Sequence, residues 1–218
     1  MKIHSDLSKR AVVESTKLDW IASPMKGVER RMLERDGGEV ARATSLVKYA
    51  PGSAFSAHTH DLGEEFLVLD GVFSDETGDF PEGMYVRNPP GSRHIPSSAP
   101  GAVILVKLRQ MLPEDTAYIR VDTNDPAGWQ AGRAGETILP LFIRPDEEVV
   151  MLTWERGARF SAQSFPGGVE YYVLEGSFED QNGRYNAGTW LRLPPDSIQN
   201  IKTHHGTRVW RKTGHLAI

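Results

Sequence analysis

Cysteine is absent from the 218-residue chain, and its absence excludes several chemistries at once. Without thiols there are no disulfides, no thiolate metal ligands and no cysteine nucleophile. The lack of cysteine also fits a reducing compartment. Neither sign of charge dominates, since 25 Lys and Arg accompany 29 Asp and Glu for a formal net charge of −4. This balance predicts no nucleic-acid partner, because phosphate binders carry a basic face.

Long apolar runs are also missing. No stretch approaches the ~18 apolar residues of a membrane-spanning helix, and residues 1–15 carry scattered charges where a signal peptide would be apolar. The phosphate-binding P-loop, the dinucleotide-binding glycine motif and the Gly-x-Ser-x-Gly nucleophile elbow do not occur. We therefore expect a cytoplasmic protein with no membrane partner and no organic cofactor.

What the sequence does contain is an internal duplication. Residues 52–94 align with residues 157–199 without a gap, at a constant offset of 105 positions. The matched pairs include Gly52/Gly157, Phe55/Phe160, Gly71/Gly176, Phe73/Phe178, Gly83/Gly188 and Pro89/Pro194. A period this long indicates a duplicated domain and not a solenoid repeat. The turn-rich segment 121–135 separates the copies, which predicts an N-terminal domain at 1–125 and a C-terminal domain at 126–218.

Both copies have the pattern of short β-strands. Runs rich in Val, Leu, Phe and Tyr recur roughly every ten residues between Gly, Pro, Asp and Ser, as in "EEFLVLDGVFSDE" and "VEYYVLEGSFED". This pattern predicts an all-β fold, with a sandwich or barrel in each half. A weak helical pattern covers only "SKRAVVESTKL" near the N-terminus, where an irregular arm is the alternative.

Four polar residues of the first copy have the spacing of a metal site. His58 and His60 are two positions apart, so on a strand they project from the same face. Glu64 follows after enough residues for a tight turn, and His94 follows a proline–glycine corner. Taken alone, each of these four residues is more simply explained as an exposed polar residue. Together, three imidazoles and one carboxylate inside a small barrel would suit Zn, Fe, Ni, Cu or Mn.

Two segments of the first copy resemble the two motifs of the cupin family. The segments are "GSAFSAHTHDLGEEFLVLDG" and "GMYVRNPPGSRH". The matched positions are Gly52, His58, His60, Glu64, Gly71, Gly83, Pro89, Gly91 and His94. Ser98 departs from the pattern, because the second motif usually has asparagine there. The stretch from residue 63 to residue 94 resembles the ChrR-like cupins, which are similar to the sensory domain of a zinc-dependent anti-sigma factor and include acetylacetone-dioxygenase-like enzymes.

The resemblance implies two tandem cupin β-barrels of the jelly-roll type, a bicupin, with one divalent transition metal in the mouth of the first barrel. The ligands it implies are His58, His60, Glu64 and His94. The metal is expected to be Zn or Fe, with Ni or Mn as alternatives. The coordination positions of the metal that the protein leaves open are expected to bind a small-molecule ligand or O2. No catalytic residue beyond the ligands can be assigned from the sequence.

The second copy has lost this ligand set. The positions that match the ligands are Gln163, Phe165, Val169 and Gln199. Phenylalanine and valine cannot bind a divalent cation, so the second barrel is predicted to be metal-free. The four changed together while the glycines and prolines stayed, which indicates that the first set is not needed for folding. We expect a supporting role for the second barrel, with an apolar or glutamine-lined ligand pocket as the alternative.

Two charged pairs are kept in both copies and predict structural contacts. Glu65 and Arg87 of the first copy match Glu170 and Arg192 of the second. Since no metal is expected in the second copy, a structural ion pair in each barrel explains them more simply than a catalytic role for Glu65.

Three functions remain open. The first is a sensory or regulatory cupin, in which the metal reports a ligand or oxidant to a protein partner; without cysteine it lacks the zinc-binding domain that holds a sigma factor. The second is a non-haem metal-dependent dioxygenase acting on a small oxygenated organic substrate. The third is a module in which Zn is purely structural, and the altered second copy argues against it. A homodimer is one option, although two barrels in one chain can satisfy cupin pairing internally.

Overall fold

A computed structural model describes residues 1–216 of the chain, and these residues form two compact units. The first unit comprises Met1–Ser5 and Leu18–Asn124, and the second comprises Asp6–Lys17 and the chain from Asp125 onward. This division differs from the predicted domains 1–125 and 126–218 in the segment Asp6–Lys17 and in residue Asp125. The described residues form strands and two short 3-10 helices, at Ser15–Lys17 and Pro126–Gly128. None of their helices has the length and apolar character that spanning a bilayer requires.

The first 124 residues contribute fourteen short strands. They are β1 (Lys2–Ile3), β2 (Ala11–Glu14), β3 (Ile21–Ala22), β4 (Val28–Gly37), β5 (Ala41–Tyr49), β6 (Ser53–Ala54), β7 (His58–His60), β8 (Glu64–Asp75), β9 (Gly78–Pro81), β10 (Met84–Asn88), β11 (Ser92–His94), β12 (Ser97–Ser98), β13 (Ala102–Leu108) and β14 (Ile119–Asp122). In the first unit, antiparallel neighbours run in the order β1-β4-β5-β13-β8-β10-β14, and β7 pairs with β11 separately. Its core is built around Phe66, Phe73 and Phe80.

The remaining strands repeat this arrangement. They are β15 (Gln130–Ala131), β16 (Glu136–Arg144), β17 (Glu147–Trp154), β18 (Arg159–Phe165), β19 (Val169–Glu175), β20 (Ser177–Asp180), β21 (Gly183–Asn186), β22 (Thr189–Leu193), β23 (Ser197–Thr203) and β24 (Thr207–Thr213). The second unit has the sheet order β15-β16-β17-β24-β19-β22-β2 and a four-stranded sheet β18-β23-β20-β21. The run β4-β5-β13-β8-β10 of the first unit therefore corresponds to β16-β17-β24-β19-β22, as the duplication in the sequence predicts.

The weak helical pattern near the N-terminus does not form a helix. The segment instead forms strand β2 followed by a single 3-10 turn. Ala11 and Val13 of β2 are buried, and the strand pairs with β22, with Ala11 opposite Arg192. Adjacent β-branched residues suit a strand, and long-range pairing overrides a weak helical propensity. This pairing makes Asp6–Lys17 part of the second unit.

The ion pair predicted in the first copy is confirmed. Arg87 Nη1 lies 2.9 Å from Glu65 Oε2, and its other terminal nitrogen lies 2.8 Å from Asp115 Oδ2. Tyr85 also donates its hydroxyl proton to Glu65 at 2.8 Å. All four groups belong to strand β8, strand β10 and the segment after β13, so the network ties these elements together.

The matched groups of the second copy have other partners as well. Glu170 accepts a hydrogen bond from Trp190 Nε1 at 2.7 Å, and Arg192 donates to the Asp6 carbonyl at 2.9 Å. Burial lowers the pKa of Arg192, and the nearby charges of Glu170 and Asp6 partly oppose that effect. Direct pairing of Glu170 with Arg192 stays a prediction.

Gly71 occupies a position in β8 that no other residue fits. Its φ is +73°, and a Cβ there would lie 2.1 Å from the carbonyl oxygen of Gly101. We expect Gly71→Ala to lower the free energy of unfolding by about 2–3 kcal/mol, because it adds a clash with backbone to a left-handed conformation. Urea unfolding followed by circular dichroism measures this loss. Gly52→Ala is the matched control, since Gly52 has the same φ of +73° and open space around its Cα. Equal losses in the two variants would show that the close approach is unimportant.

Glu136 makes the stability of the second unit depend on pH. Burial opposes its ionisation, but hydrogen bonds from Arg133 and from Trp154 Nε1 hold the pKa of Glu136 below its ordinary value of 4.5. A carboxylate with a lowered pKa stabilises the fold fully above that ordinary value and loses this contribution as the pH falls through the lowered pKa.

We therefore expect Glu136→Gln to flatten the loss of unfolding free energy below about pH 4.5. Urea midpoints between neutral and acid pH measure it. Glu114→Gln is the control, because Glu114 is an exposed glutamate outside this hydrogen-bond network. If both variants lose stability in parallel with the parent, Glu136 does not carry the acid sensitivity.

Candidate metal centre

Three histidines of the first unit converge on one point. Strand β7 pairs with β11 in antiparallel register, so that His94 lies opposite His58 and Ser92 opposite His60. Residues that are two apart on a strand share a face, as do directly opposed residues on paired strands. His60 Nε2 is 3.0 Å from His94 Nε2, which in turn is 3.3 Å from His58 Nε2. A donor atom from each of the three lies within 4.8 Å of the others.

Glu64 completes the group. It begins strand β8 directly after Gly63, whose N–H donates to the His60 carbonyl at 3.1 Å and closes the turn between the strands. Its Oε2 atom is 3.5 Å from His60 Nε2 and 3.8 Å from His94 Nε2, and the residue is only 5 % exposed. All four residues that the sequence predicted as ligands are thus together in the structure.

The hydrogen bonds made by the Nδ1 atoms of His58 and His94 leave the Nε2 atoms of these two residues with lone pairs. His58 Nδ1 is 3.1 Å from the Ser56 carbonyl, which can only accept, so Nδ1 carries the proton. His94 Nδ1 faces Asp75 Oδ2 at 3.3 Å and is assigned in the same way. The Nε2 atoms of His58 and His94 then face each other as acceptors. Acceptors this close require a proton or a metal ion between them.

The spacing of these nitrogens also fits a metal. An ion about 2.1 Å from each imidazole nitrogen separates neighbouring ligands by about 3.0 Å in octahedral and about 3.4 Å in tetrahedral geometry. The observed Nε2 separations are 3.0 and 3.3 Å. Neutral imidazoles with one carboxylate are the donors that divalent first-row metals prefer, so the residues present fit such an ion.

The buried site shifts the pKa values of two histidines in opposite directions. Burial lowers the pKa of His60; Glu64 opposes this effect, whereas the other two imidazoles add to it. Burial also disfavours a charge on His94, but the hydrogen bond to Asp75 and the charges of Glu64 and Asp75 outweigh it and raise the pKa of His94. A metal must displace a proton held there, so binding at this site is coupled to proton release.

Sequence reasoning missed the residues that support Glu64. Asn88 Nδ2 donates to Glu64 Oε2 at 3.2 Å, and Arg120 donates to Asn88 Oδ1 at 2.9 Å, which sets the orientation of the amide. The internal duplication held a signal for Asn88, because its match in the second copy is Leu193. It changed together with the ligands. Arg120 lies outside the aligned segments, so no such signal exists for it.

The corresponding positions of the second unit are used for hydrogen bonding and packing. Gln199 accepts from the Tyr171 hydroxyl at 3.0 Å and donates to Asp180 at 2.9 Å, while Phe165 and Val169 belong to the apolar core. Asp180 matches Asp75, so this aspartate holds the residue at the His94 position in both copies. That the second unit binds no metal stays a prediction.

A cavity of about 350 Å³ opens beside the candidate ligands. Three of the four, His58, His60 and Glu64, line it. Most of the remaining wall is apolar, and it includes Val28, Val47, Tyr49, Phe55, Val106 and Leu108. Arg30 and Arg109 also border this cavity, which we call the ligand cavity.

Comparison with known protein families agrees with this geometry. The model of the ChrR Cupin-like domain matches residues 8–112 and again residues 116–217. The chain belongs to the ChrR Cupin-like domain family. The predicted fold, all-β with two tandem cupin barrels, is therefore confirmed. No curated protein sequence matches this cupin.

Solved structures share the bicupin fold at low sequence identity. A candidate dioxygenase from Nostoc punctiforme is 16 % identical with a TM-score of 0.77, over 97 % of this chain and 85 % of that chain. The pirin YhhW from Escherichia coli in complex with nickel(II) is 13 % identical with a TM-score of 0.68, over 94 % and 98 %. An oxalate decarboxylase from Bacillus subtilis is 13 % identical with a TM-score of 0.63, over 97 % and 78 %. Identities this low establish a common fold alone.

Proposed function

We propose that His58, His60, Glu64 and His94 hold one divalent transition metal and that this cupin is a non-haem metal-dependent dioxygenase. Its substrate would be a small oxygenated organic molecule. One observation carries the proposal: the ligand cavity of about 350 Å³ has three of the four ligands in its wall. This volume is within the range of small-molecule sites. A purely structural metal has no need of such a cavity at its ligands.

When bound, the metal would act as a Lewis acid and as a template for substrate oxygen atoms. The chain's own residues would prepare the site for it. The Ser56 carbonyl and Asp75 hold the protons of His58 and His94 on Nδ1 and so direct both Nε2 lone pairs inward. Asn88 fixes one carboxylate oxygen of Glu64. Partners of this kind orient metal ligands and keep them basic.

Tyr49 is the residue best placed to contact the substrate directly. It lines the ligand cavity, and its hydroxyl makes no hydrogen bond within residues 1–216. Burial, reinforced by the charge of Glu64, raises the pKa of Tyr49, so the phenol keeps its proton at neutral pH. We assign it as a neutral hydrogen-bond donor to a substrate oxygen. The apolar walls around it would exclude water from the reacting groups.

A metal and oxygen assay tests this function. The protein is stripped of metal, reloaded separately with Fe(II), Zn(II), Ni(II) or Mn(II), and mixed with small β-diketones and hydroxyketones while O2 is recorded. We expect binding of one ion per chain and substrate-dependent O2 uptake with a redox-active ion only. Tight binding of every ion with no O2 uptake would reject the dioxygenase and keep the metal site. Failure to bind any of the ions would reject both.

A sensory role is the second candidate, and the position of Glu64 favours it. Its Oε2 atom is 3.5 and 3.8 Å from the histidine nitrogens, whereas those nitrogens are 3.0 and 3.3 Å apart. The carboxylate oxygen, which also accepts from Asn88, thus lies farther from these nitrogens than the nitrogens of the His60–His94 and His94–His58 pairs lie from each other. A ligand that enters and leaves the coordination shell gives a sensor two states, which a protein partner could recognise. Tight Zn(II) binding with no turnover, together with a change in protease sensitivity on oxidation, would favour this role.

A further inference from the structure

A second cavity borders the candidate centre without sharing any lining residue with the ligand cavity. Its volume is about 360 Å³. The residues that line it include Asn88, Ser92, Arg93, His94, Tyr118 and Arg120. We call it the arginine cavity. The proposed function uses none of its space.

Arg120 brings a partly buried positive charge to this cavity. Its guanidinium donates to the carbonyl oxygens of Arg87 and Ile119 at 3.2 and 2.8 Å and to the amide oxygen of Asn88 at 2.9 Å. All three acceptors are neutral, and no carboxylate of the described chain lies within ion-pair distance. Burial lowers the pKa of Arg120, although Asp75 and Glu64 attract its charge from a distance. A desolvated cation without an ion-pair partner favours an anionic ligand.

Two hydroxyl groups of the arginine cavity are also available. Ser92 is 5 % exposed, and its buried Oγ has no hydrogen-bond partner within the described residues. A buried hydroxyl without a partner is uncommon and calls for an explanation such as a bound molecule. Tyr118 is 63 % exposed, and residues 1–216 offer its hydroxyl no hydrogen bond. Both can donate to an oxygen of a ligand.

The charges of the lining favour a small anion. Arg93 and Arg120 contribute two positive charges, Asp75 contributes one negative charge, and His94, which is hydrogen-bonded to Asp75, adds positive charge when it is protonated. The oxygens of Asp75 are engaged by Thr77 and His94, so they do not compete for the guanidinium groups. The Phe80 ring, 5.1 Å from the Arg120 guanidinium, supplies an apolar surface. A planar guanidinium matches the two oxygens of a carboxylate.

We propose that the arginine cavity binds a small organic monocarboxylate, with the carboxylate on Arg120 and Arg93 and the apolar part against Phe80. Ser92 and Tyr118 supply further hydrogen bonds. Through Arg120 and Asn88 the bound carboxylate is connected to Glu64, so it is placed to adjust the proposed metal ligand. The binding itself does not depend on the metal or on enzymatic activity.

A titration of the metal-free full chain with propionate tests this inference. Backbone amide shifts in a two-dimensional NMR spectrum locate the site, and propionamide is the neutral control ligand. We expect saturable shifts near residues 88–93 and 118–120 with propionate only. Arg120→Gln should weaken binding at least about tenfold, as the loss of a charged hydrogen bond does. Arg30→Gln, in the ligand cavity, should leave the affinity unchanged.

A second pair of variants covers the case in which Arg120→Gln does not fold. Arg93 and Tyr118 are exposed, so Arg93→Gln and Tyr118→Phe carry little risk to the fold. Each should weaken propionate binding by about threefold or more. Shifts confined to the ligand cavity, equal binding of propionamide, or no saturation would overturn the proposal. Because no metal or turnover is involved, these outcomes are independent of the dioxygenase assay.

Discussion

Replacement of His58 and His94 together by glutamine should abolish metal binding and leave the fold intact. Glutamine stands at both matching positions of the second unit, as Gln163 and Gln199. Gln199 keeps a hydrogen bond to Asp180 at 2.9 Å, so a glutamine at position 94 should reach Asp75 in the same way. The double variant therefore gives the first unit the side chains that its own duplicate already accommodates.

The expected loss of affinity is large. Removal of a residue that merely supports a metal ligand costs about 10- to 100-fold in affinity, so loss of two ligands should exceed about 100-fold. Elemental analysis after dialysis and the metal-dependent rise of the melting temperature both measure it, since a ligand stabilises only the state that binds it. His205→Gln is the control, because His205 is an exposed histidine of the second unit. Full metal content in the double variant would place the centre elsewhere.

Arg87→Met should cause the largest loss of stability. Arg87 is 1 % exposed, and its removal takes away the guanidinium that contacts both the 2 % exposed Glu65 and Asp115. Breaking a buried pair from one side costs about 3–5 kcal/mol, because a charge stays buried without compensation. Urea unfolding should show a lower midpoint with an unchanged slope.

The control for Arg87→Met is an exposed pair of the same unit. Lys48 Nζ lies within ion-pair distance of Glu29, and both side chains are 41 % exposed. Lys48→Met should therefore change the free energy of unfolding by less than about 1 kcal/mol. Similar losses in the two variants would mean that burial does not set the strength of the Glu65–Arg87 network.

The four residues of the candidate centre were predictable because two motifs fix residue type and spacing together. His58 and His60 share a face of any strand, and the offset of 105 shows which positions the second copy changed. The residues that support Glu64 were harder to predict from the sequence. Asn88 could have been found by its change to Leu193, but Arg120 reaches the site only through the pairing of β14 with β10. No local pattern encodes that contact.

Strand β2 also shows that local sequence does not determine every element of the fold. Residues 11–14 have a short pattern that suits either a helix or a strand. Pairing with β22, 175 to 181 positions away, decides between the two. Tautomers and cavities likewise follow from neighbours in space. A single sequence therefore indicates which residues matter for the metal but not what holds them in place.

The position of strand β2 also has a consequence for synthesis on the ribosome. Ala11–Glu14 is synthesised 175 to 181 positions before the residues of Thr189–Leu193 with which it pairs. At typical rates of about 5–20 residues per second, the N-terminal strand waits roughly ten to thirty-five seconds for its partner. An unpaired strand edge invites association with other nascent chains, and flanking charges discourage it. Lys9, Arg10, Glu14 and Lys17 surround this strand and would keep it soluble during translation.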